Sequence, residues 1–369
     1  MDDISVGVIH TNSSILPMSK LFNKALNKVF KSQSEIDVEV YPEFVGQGGL
    51  RQVEEAVSKM INFHDVDVVT GIVSSKVVME LADKFKDKDI LFLPNNLGEQ
   101  ILDPQKVSDN IYLNSTLLWQ QLWSLGHWAT KKFGSKGMFA GGVYDMAYSF
   151  THVLDLGMRA ADPDCKWSFA VSHMPEEGET LSDPSVIFDY VEEEMPDFLF
   201  VAFCGKEATL FLDEFISRGL HEKIPVVTTP YLLEDYNQTL AEPLRLYTTL
   251  AAGKPLTDQD LLQDWTSPSG IFSAMGRDSA RMILKAASDN QITQIPTPFD
   301  TERGSLPLAP KALGKGSQVC IVENTHSGEK ATIERQIIEQ VATIDIDDPG
   351  ILDGLKNLET SWQNPYLGV

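Results

Sequence analysis

Short apolar runs, each closing on a polar turn, alternate along this chain with longer segments whose apolar positions recur at helical spacing. The runs read as buried strands: Ile4–Ile9, Ile36–Tyr41, Val66–Gly71 and Ile90–Leu93, then Gly137–Val143, Trp167–Val171, Phe198–Phe203 and Ile224–Thr228. The periodic segments read as amphipathic helices. Met18–Phe30 gathers Leu21, Phe22, Ala25, Leu26 and Val29 on one face, and Leu50–Phe63 gathers Val53, Ala56, Val57, Met60 and Ile61. A third helix, Val77–Phe85, follows Ser74-Ser75, whose hydroxyls suit an N-cap. Their counterparts are Tyr148–Ala160, Pro184–Glu194 and Ala208–Arg218.

Strand and helix alternate, which predicts βαβ units and parallel sheets covered by helices on both faces. Corresponding strands begin about 131–134 residues apart, so one α/β unit is written twice. Two segments break the repeat. The first holds a strand, Arg245–Leu250, and a helix, Gly270–Ala287, announced by Ser267-Pro268-Ser269. The second, after Pro296 and Pro298, reads as a hairpin of Leu306–Leu308 and Ser317–Val322 joined through Gly314-Lys315-Gly316. Ala331–Val341 is then expected to be helical, and Ile344–Val369 a short helix with an extended arm.

With 369 residues, 43% of them apolar and 22% charged, the chain is a globular protein of more than one domain. Its net charge of −23 repels nucleic-acid phosphates and anionic headgroups, so neither is an expected partner. Cys165, Cys204 and Cys320 form no CxxC pair, and the seven histidines form no HExxH, so no metal centre is expected. One Cys165–Cys320 bridge stays open at this level. No segment reaches the ~20 apolar residues of a membrane span, so no direct membrane insertion is expected. Met1-Asp2-Asp3 leads directly into the first strand without a visible signal peptide, which reads either as a cytoplasmic chain or as a mature form carrying a start methionine.

The Ile4–Ser14 strand and turn, Val68–Ser75, Leu91–Asn95 and Asn110–Ser115 together resemble the type I periplasmic solute-binding fold. Within it they are most similar to the branched-chain amino acid (Leu/Ile/Val) binding proteins of ABC importers. The resemblance implies two Rossmann-like lobes joined by a three-crossing hinge: residues 1–116 plus 250–303, and residues 117–249 plus 304–369. The crossings would lie near 113–117, 245–250 and 306–322. It further implies a monomer in the periplasm that binds a small-molecule ligand without a cofactor and delivers it to a transporter permease. A cytoplasmic ligand-sensing regulator on the same fold is the alternative.

Ligands of open parallel sheets bind beyond the carboxyl ends of the strands. That rule selects Asn12, Ser13, Ser74, Ser75, Asn95 and Asn96 in the first lobe, and Tyr144, Asp145, Tyr148, Cys204, Lys206 and Tyr231 in the second. Ser74 and Ser75 open a helix whose free N–H groups favour an anion; the resemblance implies that they hold a ligand carboxylate, while a pure capping role explains them equally. The tyrosines would pack a planar or apolar group. Where the amino acid binders carry an acid, this chain has Thr229-Pro230-Tyr231, so an aromatic or carboxylate-bearing ligand is as consistent as an amino acid. Trp119 and Trp123 read as core. There is no GxGxxG after the first strand, no P-loop lysine after Gly46-Gln47-Gly48-Gly49 and no GxSxG, so an enzyme is not expected.

Overall fold

The structure is a computed structural model that describes residues 3–13, 16–142, 149–173, 181–234, 236, 243–327 and 332–351. The chain opens with β1 (Asp3–His10), α1 (Met18–Lys31), β2 (Asp37–Phe44), α2 (Leu50–Phe63), β3 (Val68–Ile72), α3 (Ser75–Phe85), β4 (Leu91–Asn96) and the short β5 (Asn114–Ser115). These strands form one parallel sheet in the order β2-β1-β3-β4-β5. Central strands β3 and β4 are buried along their whole length, which is why they read as unbroken apolar runs. α1 covers the sheet with Phe22, Leu26 and Phe30, spaced one turn apart.

A second lobe follows: α4 (Leu118–Phe133), β6 (Lys136–Gly141), α5 (Phe150–Ala161), β7 (Lys166–Val171), α6 (Ser185–Glu194), β8 (Phe198–Ala202), α7 (Gly205–Ser217), β9 (Val226–Thr228) and β10 (Leu244–Ala252). The chain then forms α8 (Gly270–Ser288), β11 (Phe299–Thr301), β12 (Gly304–Leu306), β13 (Gln318–Ser327) and β14 (Thr332–Val341). The second sheet runs β14-β13-β10-β9-β8-β6-β7, parallel from β10 to β7 and antiparallel at β13 and β14. α8 does not stay with that sheet. It packs on α1, where Gly276 lets the helices touch: a Cβ there would sit 2.2 Å from the Phe22 carbonyl oxygen.

The two α/β units and their parallel sheets are as the sequence predicts, and Trp119 and Trp123 are buried in the core. Of the stretch expected to be helical, Ala331–Val341, the described part Thr332–Val341 is a strand. Its Glu, Gln and Arg content favours helix locally, but β13 offers a free edge, and antiparallel pairing from Val319–Val341 to Ser327–Thr332 makes it a strand. The hairpin expected from Leu306–Leu308 with Ser317–Val322 is also absent. β12 pairs with β11, and Gln318–Ser327 is claimed by β10 and β14. Gly314 and Gly316 do turn the chain, with φ of 81° and 74°, but toward β10. All three cysteines are free thiols, so the Cys165–Cys320 bridge does not form. Of the Ile344–Val369 tail, only residues up to 351 are described.

Candidate functional site

The polar residues chosen at the strand ends of the first lobe separate into two kinds. Asn95 and Asn96 are not in a turn, because β4 runs through both, and both are fully buried. Asn95 Oδ1 accepts from Asn114 Nδ2 (2.7 Å) and Ser279 Oγ (2.8 Å), while its amide nitrogen donates to Thr70 Oγ1 (3.2 Å). Asn96 donates to Ser75 Oγ and to the Val73 carbonyl, each at 3.2 Å. Asn12 is exposed and donates its backbone N–H to Gly46 O (2.6 Å); Ser13 Oγ accepts from Leu16 N (3.3 Å).

At the start of α3, Ser74 Oγ accepts from Val77 N (3.4 Å), a capping bond. The next amide is engaged as well: Ser75 N donates to Glu99 Oε1 at 3.0 Å. Glu99 is 1% exposed and lies just beyond β4. Its own carbonyl accepts from Ser149 Oγ, 2.6 Å away, at the N-cap of α5. One residue therefore touches the α3 N-terminus of the first lobe and the α5 N-terminus of the second. Sequence reasoning missed it, since a single acid among 53 acidic residues carries no spacing signature.

On the second lobe Tyr231 is half-buried in the turn Pro230–Leu233. Burial, then the negative charges of Glu234 and Glu99, push its hydroxyl pKa well above the usual tyrosine range. The Glu234 carboxylate accepts from Ser269 Oγ. Cys204 is half-buried at the N-cap of α7, and Lys206 is exposed in that helix's first turn. Tyr144, Asp145 and Tyr148 lie outside the described residues. Ser74, Ser75, Asn96 and Tyr231 are thus gathered around Glu99.

Beside this cluster is a cavity of about 50 Å³. It is lined by Leu97, Thr116 and Leu118, by Tyr231 and Thr249–Ala251, and by Trp265, Ser267, Ile271 and Arg303. Arg303 is 3% exposed; its Nε and Nη2 donate to Asp278 Oδ2 at 3.2 and 3.0 Å, and Nη1 to Ser115 O at 3.3 Å. Nη2 also bonds Asn114 Oδ1. Burial pushes the Asp278 carboxyl above its usual range and Arg303 pulls it back. Among the described residues no group of His, Cys, Asp and Glu is arranged to hold a metal. Two lobes, a buried residue spanning them and a cavity lined from both make a place that can enclose a small molecule.

A sequence profile of the periplasmic binding proteins matches residues 46–289. The chain belongs to the periplasmic binding protein family. Solved members share its fold at low identity. An ABC transporter solute-binding protein from Rhodopseudomonas palustris, in complex with 3,4-dihydroxybenzoic acid, superposes with a TM-score of 0.67 at 14% identity, over 95% of this chain and 99% of that one. A second from R. palustris, in complex with benzoate, gives 0.65 at 14% identity, covering 95% and 99%. The branched-chain amino acid transporter substrate-binding protein LivJ from Streptococcus pneumoniae, in complex with isoleucine, gives 0.62 at 13% identity, covering 93% and 100%. No curated protein matches the sequence. Among the described residues of this periplasmic binding protein, no helix is long and apolar enough to cross a membrane.

Proposed function

We propose that this protein captures one small solute between its lobes, outside the cytoplasm, and presents it to the permease of an ABC importer without transforming it. The observation that carries the reading is the junction at Glu99. Its carboxylate is bound by the first lobe and its carbonyl by Ser149 of the second, beside a cavity walled from both sides. The solved relatives, whose ligands are benzoates and isoleucine, support a ligand of that size.

In this reading the lobes comprise residues 1–116 with 250–303, and 117–249 with 304–369. They turn on three crossings, near 113–117, 245–250 and 306–322. A backbone bond from Leu113 N to Leu308 O (2.9 Å) joins the first to the third. Rigid-body closure about such a hinge would bring Ser74 and Ser75 of the first lobe toward Tyr231 of the second, around the ligand.

The test is a thermal-shift screen on protein stripped of co-purified ligand by unfolding and refolding, with small-angle scattering on any hit. A ligand at ~100 times its dissociation constant adds about 2.7 kcal/mol of stability, and closure reduces the radius of gyration. Saturable binding without compaction would count against capture between the lobes.

A further inference from the structure

Two features of the proposed capture site that would attract a charged ligand are engaged inside the protein. The N-terminus of α3 is the natural seat for an anion, yet two of its first amides are taken internally: Ser75 N by Glu99 Oε1 and Val77 N by Ser74 Oγ. Glu99 sets its own carboxyl group on that seat and is only 1% exposed. The guanidinium in the cavity wall, Arg303, is matched by Asp278, which is itself fully buried. Among the described residues, every other one lining the cavity is uncharged: Thr116, Gln121, Thr249, Thr266, Ser267 and Tyr231 supply hydrogen-bonding groups, and the rest are apolar.

We propose that this site selects an uncharged small molecule with hydrogen-bonding groups and an apolar part, such as an amide, and rejects carboxylates because Glu99 occupies the anion position. The inference rests on the capture reading above. A ligand carboxylate arriving at α3 would have to displace Glu99 from Ser75, or lie against its carboxyl group without the amide that would otherwise receive it. Among the described residues lining the cavity there is no carboxylate to receive a ligand ammonium. Rejection of this kind is specificity by an unfavourable element rather than by added contacts. It sets this chain apart from the solved relatives, whose ligands, benzoates and isoleucine, all carry a carboxylate.

The experiment is calorimetric titration with matched sets that share one framework: benzamide, benzoate and benzylamine; isovaleramide, isovalerate and isoamylamine; and further aromatic and aliphatic sets of the same design. The native protein is expected to bind the amide of at least one set tenfold or more tightly than its acid or amine. Glu99→Ala, which removes the charge and releases the Ser75 N–H, is expected to shrink the amide-over-acid ratio at least tenfold. Glu99→Gln keeps an acceptor for Ser75 without the charge, and is expected to shrink the ratio while leaving the melting temperature close to the native value. Preference for an acid or an amine in the native protein overturns the proposal and leaves capture intact. So does an amide-over-acid ratio that ignores both substitutions. Absence of binding across every set counts against capture itself and takes the proposal with it.

Discussion

Arg303 and Asp278 form an ion pair in the protein interior, with Nη2 3.0 Å from Oδ2 and the two side chains 3% and 0% exposed. The same guanidinium bonds Asn114 and the Ser115 carbonyl, so a residue just before β12 is tied to β5. Removing one partner strands a charge that water cannot reach. Arg303→Met is expected to lower stability by about 3–5 kcal/mol, and Arg303→Met with Asp278→Leu to recover most of that loss. Denaturant unfolding of the two variants checks this; equal losses in both would show that packing, not the stranded carboxylate, dominates.

Ser149 donates to the Glu99 carbonyl across the lobes at 2.6 Å and is 2% exposed. Ser149→Ala removes that bond and leaves a buried carbonyl short of a donor, a cost of about 1 kcal/mol. Because the bond joins the lobes, the loss is expected to favour the open form. Small-angle scattering should report a larger radius of gyration for the variant than for the native protein under identical conditions.

α4 and α5 touch backbone to backbone at two glycines. A Cβ on Gly157 would lie 2.0 Å from the Trp123 carbonyl oxygen, and one on Gly126 would lie 2.3 Å from that of Leu154. Backbone cannot yield as a flexible side chain does, so the helices must separate. Gly157→Ala is expected to destabilise by about 1–3 kcal/mol despite alanine's better helix propensity. A rise in melting temperature would contradict the contact.

His10, His127, His152 and His326 all have pKa values below the usual 6.5, burial being the first cause in each. Unfolded, they take up protons near pH 6.5; folded, they do so only at lower pH. The unfolded state therefore binds more protons below pH 6.5, and stability is lost as pH falls through that value. Melting temperatures measured from pH 7.5 to pH 5 should decline, and His326→Gln should decline less steeply. An unchanged slope in that variant would remove His326 from the set.

Local patterns made much of the fold legible. The amphipathic repeats of α1 and α2, the apolar runs of β3 and β4 and the Ser74 hydroxyl at the head of α3 each declare themselves within a few residues. β14 was not legible, because Thr332–Val341 becomes a strand only through the free edge of β13, a partner that no local window contains. Asn95 and Asn96 look like turn residues, yet their amides serve Asn114, Ser279 and Ser75 inside the first lobe.

The alternation of strands and helices within the two repeated units, their repetition and the two-lobe α/β architecture they build were determined by the sequence alone, since hydrophobic periodicity is a local consequence of which face each element must bury. Which residues meet at the site was decided only by tertiary structure. Glu99 reaches the α3 amide 24 positions away in sequence and Ser149 at a separation of 50, and Arg303 reaches Asn114 at 189. Each of these groups is buried, so each must find its hydrogen-bond partner wherever the packed lobes bring one within reach.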